Sequence, residues 1–572
     1  MPGVLDATTR TDSLRKLASG PLDILVIGGG ITGAGAALDA ASRGLRVGLV
    51  EARDLAAGTS SRSSKLIHGG LRYLEQRDFK LVKEALRERD LLVSRLAPHL
   101  VQPLPFLYPL YKKVVERPYV GAGLVLYDAM EGTKRPVPHH RHLTVRGALG
   151  RAPALRSERL AGAMVYYDAQ VDDARHTLTV ARTAAEHGAI IVTRASATEL
   201  LRSADGASVT GARVRDEETG RTVDVSARAV VVCAGVWTDP VHEIGGVPAG
   251  YHVRMSKGVH LVMPRSAIDA STGMIIRTEK SVLFFIPWGD DRWIVGTTDT
   301  DWSGDRAEPT ATGEDVDYIL AQANRVLAHQ LTRADVIGVY AGLRPLVAAA
   351  ETVPQKAVPT TKLSREHVVD APVPGLVSIA GGKFTTYRLM ARDVIDAAVA
   401  GFDGPPVPES VTELLPLLGA DGLPAVRAAA RRIAEDYGVP LESVEHLLTR
   451  YGSLVTEVLE AARRDRSLGE QLAAGYPYLR AEVAYAVTHE GALHIEDVLA
   501  RRVRLLIESP DAGVSAAPQV GVIMGGLLGW GRRRRAAEVR RYVEFAETSA
   551  EALRSPAELP AADDARQVAV PA

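Results

Sequence analysis

Three glycines near the N-terminus have the spacing of a phosphate-binding turn. Gly28, Gly30 and Gly33 form the pattern G-x-G-x-x-G. In such a turn the first glycine permits the sharp bend, the second lets the backbone approach a pyrophosphate, and the third lets a helix lie close to a strand. The phosphates would then contact free N–H groups at the positive end of the helix dipole. These residues predict a dinucleotide-binding site.

Glu51 adds to this prediction because it directly follows a second apolar run, residues 45–50. A carboxylate at the end of that strand would accept a hydrogen bond from a ribose 2′-hydroxyl and would repel a 2′-phosphate. The pattern therefore disfavours NADP as the dinucleotide.

The secondary structure around the glycines must hold them in place, and the sequence on both sides of them predicts a strand and a helix. Residues 24–27 are apolar and predict a buried parallel strand, and residues 34–43 are good helix formers. Strand, glycine turn and helix in this order are the context that the fingerprint requires. The alternative, a glycine-rich turn that binds nothing, does not explain this order.

Composition narrows the class of protein. The chain has 572 residues, 46% hydrophobic and 24% charged, with a net charge of −1, which predicts two or three globular domains and no global field for nucleic acid. The single cysteine, Cys233, lies in an apolar run, so no disulfide forms within the chain and a reducing compartment fits. Residues 1–20 lack the apolar core of a signal peptide, and no run reaches the length of a membrane span. Because neither a signal peptide nor a membrane span is predicted, we expect a cytoplasmic protein. Attachment of its surface to a membrane stays open.

Two later segments repeat the arrangement of a strand that ends in a glycine turn. Residues 229–233 form an apolar run before Ala234 and Gly235, and residues 376–380 precede Gly381 and Gly382. Glycine at the end of a strand lets the backbone approach a ligand. Both segments predict a return of the chain to the nucleotide-binding domain, which would then be discontinuous.

The remaining patterns predict a mixed architecture. Residues 251–345 alternate like an antiparallel sheet, apart from a helical pattern at 312–331. A capped helix is predicted from Asp172 to Gly188, a hairpin around a turn at 218–220, and a helix over 78–97. Beyond residue 405 the predicted helices are 424–437, 441–450, 453–463, 479–488, 494–505 and 518–548. No metal site is predicted.

Several motifs closely resemble those of FAD-dependent glycerol-3-phosphate dehydrogenases. The two signatures of that family match residues 27–44 and 381–391. Further similar segments are S-S-K-L-I-H-G-G-L-R-Y-L at 63–74, K-G-V-H at 257–260, G-T-T-D at 296–299 and G-L-R-P at 342–345. The resemblance extends over residues 20–400 and, more loosely, over the helical C-terminal part.

This resemblance implies an activity and its partners. The family oxidises sn-glycerol 3-phosphate to dihydroxyacetone phosphate on FAD and passes the electrons to membrane quinone, usually from the cytoplasmic face. In some relatives oxygen takes the electrons, so an oxidase is the near alternative, and a non-catalytic flavoprotein is the distant one. A homodimer is compatible with all three.

The resemblance also completes the predicted fold class, which is α/β. It implies a Rossmann-type FAD-binding domain, a substrate domain built on an antiparallel sheet, and an all-helical C-terminal domain. The predicted boundaries are 20–97, 160–240 and 346–404 for the FAD-binding domain, 98–159 and 241–345 for the substrate domain, 405–548 for the helical domain, and 549–572 for a disordered tail.

Site residues follow from the matched motifs. The resemblance places Arg72, Tyr73, His260, Arg344, Arg365 and Lys383 against the substrate. The predicted cofactor-binding residues are Gly28, Gly30, Thr32, Gly33, Glu51, Thr59, Ser60, Ser61, Lys65, Leu66, His68, Gly69, Gly70, Ala234, Gly235, Gly381, Gly382, Phe384 and Thr385.

Each candidate for the chemistry has a plainer alternative. His260 is the natural proton acceptor because histidine titrates near neutral pH, but it could be a core histidine on a strand. Lys383 lies in a glycine turn and could contact the substrate, contact the flavin or form an ion pair, and it would be the base if His260 is a core histidine. Arg344 precedes Pro345, which holds its backbone extended, and it suits an oxyanion or a phosphate. Arg72 could recognise phosphate or form a surface ion pair, and His68 fits a structural part of the flavin loop.

A basic run, Arg532 to Arg535, lies beside Trp530 in the C-terminal part. Such a run is usually a solvated face. Attachment to anionic lipids is the alternative, because each basic residue near a membrane surface contributes about 1 kcal/mol.

Overall fold

Two β-sheets and a helical C-terminal region build the chain in a computed structural model. The structure describes residues 3–75, 78–112, 116–130, 136–247, 250–279, 282–349 and 365–554. The α/β fold class predicted from the sequence is confirmed.

The first sheet contains the predicted parallel strands. Its main path runs, in spatial order, through His367–Val373, Leu376–Gly381, Thr222–Val232, Leu22–Ile27, Val47–Glu51 and Ile190–Thr193, and Ala195–Arg202 and Val209–Asp216 branch from it. All neighbours along the main path are parallel except the edge strand His367–Val373. The predicted hairpin is the antiparallel pair formed by Val209–Asp216 and Thr222–Val232.

Three helices cover one face of this sheet. Ile31–Ser42 packs between Asp173–Glu186 and Tyr387–Val399. The middle helix is rich in alanine and is buried on nearly every side, as expected for a helix enclosed by a sheet and two neighbours. The three glycine turns therefore meet at the carboxyl ends of parallel strands, where α/β sheets usually bind ligands.

The second sheet is almost entirely antiparallel, as predicted for residues 251–345. Its main path is Thr300–Trp302, Tyr251–Pro264, Arg292–Gly296, Val282–Trp288, Gly273–Arg277, Val101–Leu110, Gly162–Val171 and Leu66–Ile67, with Gly338–Ala349 and Arg141–Leu143 paired beside it. Strand Gly162–Val171 falls in a range predicted for the nucleotide-binding domain, yet it pairs with Val101–Leu110 in this sheet.

The remaining helices before residue 405 lie around the two sheets. Ala7–Ala18 begins with a capping box at Asp6, and Asp172 caps Asp173–Glu186 as predicted. The others are Leu71–Glu75, Phe79–Leu91 continued by the π-helix Leu92–Leu96, Glu116–Met130, Val145–Arg151, Thr238–Ile244 and Gly313–Asn324.

The C-terminal region is helical, as predicted, but its helices break more often. They are Leu423–Ala428, Ala430–Tyr437, Leu441–Tyr451, Val455–Arg464, Arg480–His489, the π-helix Asp497–Arg502, Leu505–Glu508, Ala517–Leu528 and Arg532–Arg554. The helix predicted over 518–548 is interrupted because Gly529 adopts a left-handed conformation with φ of 69° and ends the first part. The last helix continues to Arg554, past the predicted start of the tail, and residues 555–572 lie outside the described part.

The division into domains at the predicted boundaries stays a prediction. Among the described residues, none of the helices has the length and hydropathy needed to cross a lipid bilayer.

Candidate active site

One cavity of about 540 Å³ lies between the two sheets and collects most of the predicted site residues. We call the lining residues Gly28, Gly30, Thr32, Glu51 and Ser60 the nucleotide side. The reaction side consists of the lining residues Tyr73, His260, Arg344, Arg365 and Lys383. The two groups share one space, so a ligand bound along the glycine turns can reach the polar side chains.

Backbone atoms form most of the nucleotide side. Gly28 has a φ of 115°, which side-chain-bearing residues rarely adopt. A side chain at Gly33 would collide with the carbonyl oxygen of Gly28, so a glycine is needed for the helix to lie this close. No side chain caps the helix at Gly30, and the N–H of Ile31 donates to Ser60 Oγ at 2.9 Å. The positive end of this helix dipole faces the cavity.

Glu51 is held by the backbone on both of its oxygens. Oε2 accepts from the N–H of Gly29 at 2.6 Å and Oε1 from the N–H of Arg53 at 2.7 Å. Burial raises the pKa of Glu51, although these two N–H groups oppose the rise. Each carboxylate oxygen can accept a second hydrogen bond, so the group remains available to a hydroxyl in the cavity.

His260 is buried on the long strand Tyr251–Pro264. Its Nε2 is hydrogen-bonded to Ser64 Oγ at 2.8 Å, and its ring stacks on that of Tyr340 with centroids 4.8 Å apart and 10° between the planes. Nδ1 has no hydrogen-bond partner within the described part of the chain. Burial, followed by the charges of Arg344 and Lys65, lowers the pKa of His260 well below its ordinary value. The imidazole is therefore neutral near pH 7 and can accept a proton.

Two arginines lie beside one buried carboxylate. Arg344 donates from Nη1 to Ser256 Oγ at 3.3 Å and from Nη2 to Thr297 Oγ1 at 3.1 Å. Asp299 Oδ1 is 4.0 Å from Arg344 Nη1, and Asp299 Oδ2 is 3.4 Å from Arg365 Nη2. One carboxylate thus lies beside two guanidinium groups, and arginine side chains of this kind suit an oxyanion or a phosphate.

Lys383 supplies a further cation with an unusual environment. Its Nζ lies 3.6 Å from the centroid of the Tyr73 ring and has no hydrogen-bond partner among the residues that the structure describes. Desolvation, with a contribution from Arg365, lowers the pKa of Lys383 to about 7. An unpaired buried amine beside a cavity is a binding group for a ligand oxygen.

Comparison with known proteins identifies the family. A family model described as "FAD dependent oxidoreductase" matches residues 23–392, and one described as "C-terminal domain of alpha-glycerophosphate oxidase" matches residues 410–535. The chain is 52% identical over 543 residues to "Glycerol-3-phosphate dehydrogenase 2" of Mycobacterium tuberculosis, covering 95% of this chain and 91% of the relative. The chain belongs to the FAD-dependent glycerol-3-phosphate dehydrogenase family.

More distant members agree with this assignment. The human protein "Glycerol-3-phosphate dehydrogenase, mitochondrial" is 39% identical over 527 residues, covering 89% of this chain and 71% of the relative. The crystal structure of glycerol-3-phosphate dehydrogenase from Bacillus halodurans with FAD superposes with a TM-score of 0.77 at 30% identity, covering 96% of this chain and 99% of the other. The predicted family resemblance and the predicted C-terminal helical domain are confirmed, and the protein is an FAD-dependent oxidoreductase.

The residues present fit FAD. The left-handed turn at Gly28, the close approach at Gly33 and the uncapped helix at Gly30 suit a pyrophosphate. On the reaction side, His260 Nδ1 and Lys383 Nζ are buried polar atoms without protein partners in the described part. FAD is thus the cofactor of this family member, as predicted.

Most of the predicted cofactor-binding residues line the cavity. They are Gly28, Gly30, Thr32, Glu51, Thr59, Ser60, Leu66, His68, Ala234, Gly235, Gly381, Gly382, Phe384 and Thr385. His68 is fixed through its backbone, since its N–H donates to Thr385 Oγ1 at 3.1 Å, which agrees with a structural part of the flavin loop. Contact of each residue with FAD stays a prediction.

The other predicted residues lie behind the cavity wall or outside the described part. Gly33 packs against Gly28, Gly69 donates its N–H to the hydroxyl of Tyr127, and Gly70 packs on the ring of Tyr73. Ser61 and Lys65 belong to a buried cluster around Asp173. Arg72 has its backbone in helix Leu71–Glu75, but its side chain lies outside the described residues. Contact of these five residues and of Arg72 with a ligand stays a prediction.

Several side chains that shape the site were not predicted. Ser64 and Asp299 fall inside motifs that carried the resemblance, but no role was assigned to them. Tyr340 is the direct cross-strand partner of His260, so it could have been found only with the strand register in hand. The sequence around Asp173 indicates only a helix start, and nothing in it connects this residue to residues 61–65.

Proposed function

We propose that this enzyme oxidises sn-glycerol 3-phosphate to dihydroxyacetone phosphate. The C2–H bond breaks with transfer of a hydride, and the C2 hydroxyl loses its proton as the ketone forms. The observation that carries the proposal is the shared cavity, where the nucleotide side meets a neutral histidine and several cations. The substrate is the one in the names of the relatives from Mycobacterium tuberculosis and human.

His260 accepts the hydroxyl proton. The hydrogen bond to Ser64 and the stacking on Tyr340 hold the ring in one orientation, as a positioned proton acceptor requires. Nδ1 is the ring nitrogen left without a partner in the described residues. Bound FAD supplies the acceptor for the hydride.

Arg344 and Arg365 bind the anionic parts of the substrate. Their shared partner Asp299 holds both guanidinium groups on the reaction side. Lys383 Nζ donates to a substrate oxygen or to the flavin and balances negative charge that develops during oxidation. The ring of Tyr73 packs against one side of the Lys383 amine and shields it from solvent.

Anaerobic mixing tests the reaction directly. FAD-loaded enzyme mixed with sn-glycerol 3-phosphate should lose its oxidised flavin absorbance within a single turnover, and dihydroxyacetone phosphate should appear in equal amount. Glycerol without phosphate and the sn-1-phosphate isomer serve as controls and should react far more slowly. Enzyme that keeps its flavin spectrum with the sn-3-phosphate would contradict the proposal.

We further propose that the electrons pass to a membrane quinone and that helix Glu116–Met130 contacts the lipid surface. The outward side of this helix is wholly apolar. Tyr119 is 58% exposed and Val125 57% exposed, and Leu126 lies beside them on the same face. Monomeric proteins rarely leave such a continuous apolar face in water.

Charge around the helix favours a lipid surface over a protein partner. The sequence places Lys112 and Lys113 before the helix and Lys134 and Arg135 after it, where they outnumber the acids Glu116 and Glu131 at its two ends. Apolar residues inserted between basic ends are typical of interfacial helices on anionic membranes. In the basic run at 532–535, by contrast, Arg534 pairs with Glu538 at 2.9 Å.

Vesicle flotation and reoxidation test these two points separately. The enzyme should float with vesicles that contain phosphatidylglycerol, and the double variant Val125→Glu/Leu126→Glu should not. Val522→Glu is the matched control, because Val522 is 52% exposed on another helix, Ala517–Leu528.

For the electron acceptor, reduced enzyme should reoxidise much faster with a soluble quinone analogue than with oxygen. The reverse order would make the protein an oxidase, the alternative that the name of the C-terminal family model suggests.

A further inference from the structure

The turn at residues 61–65 is anchored by one buried carboxylate, that of Asp173, which accepts hydrogen bonds from Ser63, Lys65 and Arg504. Oδ2 accepts from the N–H of Ser63 at 2.8 Å and from its hydroxyl at 2.7 Å. Oδ1 accepts from Lys65 Nζ at 2.9 Å and from Arg504 Nη2 at 2.7 Å. Asp173 and Lys65 are fully buried and Arg504 is only 1% exposed, so these bonds are not weakened by water.

Arg504 comes from the C-terminal helical region, between Asp497–Arg502 and Leu505–Glu508. Besides Asp173, its Nη2 donates to the carbonyl oxygen of Ser61 at 3.0 Å. Lys65 Nζ donates to the same carbonyl at 3.2 Å. The arginine thus binds the first residue of the turn and the carboxylate that anchors its later residues.

Ser64 lies between the two residues that Asp173 anchors, and its hydroxyl contacts His260 Nε2 at 2.8 Å. Tyr340 strengthens the connection, since its hydroxyl donates to the carbonyl of Ser63 at 3.0 Å while its ring stacks on His260. The position of the imidazole therefore depends on a turn whose anchor includes an arginine from the other end of the chain.

We propose that Arg504 is a positioning residue for His260: through Asp173 and Ser61 it holds the 61–65 turn so that Ser64 orients the imidazole in the cavity. This inference rests on the proposed function, in which His260 accepts the proton. It assigns the C-terminal region a role in the chemistry rather than in stability alone. Partners that orient metal ligands typically change affinity or activity by about 10- to 100-fold when they are removed, and we expect an effect of the same order for a partner that orients a base.

The substitution Arg504→Met tests this proposal, and we expect the protein to fold with it because both acids that contact Arg504 keep another basic partner. Asp173 keeps Lys65, and Asp172 keeps Arg450 at 3.1 Å. We expect the rate of flavin reduction by sn-glycerol 3-phosphate to fall by about 10- to 100-fold, with less than about a twofold change in substrate affinity. Deuterium exchange at residues 61–65 of the FAD-loaded enzyme should become faster, a readout that does not depend on activity.

Two companion variants separate positioning from stability. Ser64→Ala removes only the hydroxyl, so flavin reduction should slow to a similar extent while exchange at 61–65 stays as in the wild type. Arg194→Met is the matched control, because Arg194 also pairs with the C-terminal region, at 2.7 Å from Asp497, but does not contact the turn. Its rate of flavin reduction should equal that of the wild type.

A double-mutant cycle gives the decisive outcome. If Arg504 acts through His260, Arg504→Met should have no further effect in a His260→Asn background, because coupled residues are not additive. Additive effects, or a wild-type reduction rate in Arg504→Met or in Ser64→Ala, would overturn the inference.

The outcomes also distinguish this inference from the proposed function. A wild-type rate in His260→Asn alone would refute the assignment of the base, whereas the exchange measurement would still report whether Arg504 holds the turn. Should Arg504→Met not yield FAD-loaded protein, Arg504→Lys takes its place with the same expectations, since the single ammonium keeps the charge but lacks the forked donors.

Discussion

The nucleotide side and the reaction side of the cavity are built in different ways. On the nucleotide side, backbone groups of Gly28 and Gly30 and the N–H groups of a helix face the cavity. On the reaction side, the working groups are the ends of long side chains, such as those of Arg344 and Lys383. The first surface is set by the path of the chain, and the second by contacts between distant residues.

This difference separates cofactor retention from chemistry. A change that moves the backbone of the nucleotide side should lower affinity for FAD while the flavin that remains reacts normally. A change of a side chain on the reaction side should leave the flavin bound and slow its reduction. Substitutions on each side can therefore confirm or contradict this separation of cofactor binding from chemistry.

The largest effect is expected at His260. His260→Asn keeps a hydrogen-bonding group of similar size but cannot take up a proton, and loss of a general base typically costs about 10²–10⁴-fold in rate. Single-turnover flavin reduction should fall by this amount, while the FAD content of the purified enzyme stays unchanged. A wild-type rate would make His260 a core histidine, the alternative considered from the sequence.

Gly33 provides the opposite case on the nucleotide side. A methyl group there meets the carbonyl oxygen of Gly28, and overpacking of this kind costs about 1–3 kcal/mol. In Gly33→Ala, affinity for FAD should fall by about 10- to 100-fold, measured by titrating apoprotein with FAD. The flavin that does bind should be reduced at the wild-type rate.

A control for this substitution is available in the chain. Gly150 lies in helix Val145–Arg151, and an added methyl group would meet nothing within 4 Å. Gly150→Ala should bind FAD as the wild type does. If Gly33→Ala also binds FAD normally, the close approach of helix and strand is not what the cofactor site requires.

Arg344→Lys should have a smaller effect, again confined to the reaction side. Lysine keeps the charge but loses the fork that reaches Ser256, Thr297 and the carbonyl of Thr298 at once. We expect kcat/KM for sn-glycerol 3-phosphate to fall at least about tenfold, with FAD content unchanged. Kinetics equal to those of the wild type would remove Arg344 from the site.

The same contrast explains what could be predicted from the sequence. The nucleotide side depends on short-range patterns, because Gly28, Gly33 and Glu51 act through a strand, a turn and a helix that are continuous in the chain. Their spacing alone predicted the site. The glycine turn at 381–382 was predicted in the same way, and its residues line the same cavity.

The reaction side depended on resemblance, and its supporting groups were missed. Tyr340 and Ser64 contact His260 only after strands and turns far apart in the chain have come together. Asp173 looked like one acid in a helix start, because local sequence cannot show that Lys65 and Arg504 converge on it. Ion pairs between distant elements follow no short period that a sequence pattern could show.

The smallest expected effect, and the one that decides the role of Lys383, is the pH dependence of kcat/KM between pH 7 and 8. The pKa of Lys383 is about 7, so its cationic fraction falls about fivefold over this interval. The pKa of His260 lies well below its ordinary value, so the imidazole is already neutral and contributes no change. The phosphate of the substrate, with a second pKa of about 6, is mostly dianionic throughout.

If Lys383 acts as a cation, kcat/KM must therefore fall as the pH rises, by about fivefold between pH 7 and 8. If it were the base instead, its reactive neutral form would increase and kcat/KM would rise about twofold. Lys383→Arg separates the two cases, because the guanidinium stays charged over the whole range. With a cationic role, this variant keeps activity and loses the decline. A rise in the wild type that disappears together with activity in Lys383→Arg would assign the base to Lys383 and leave His260 as a positioned but unreactive neighbour.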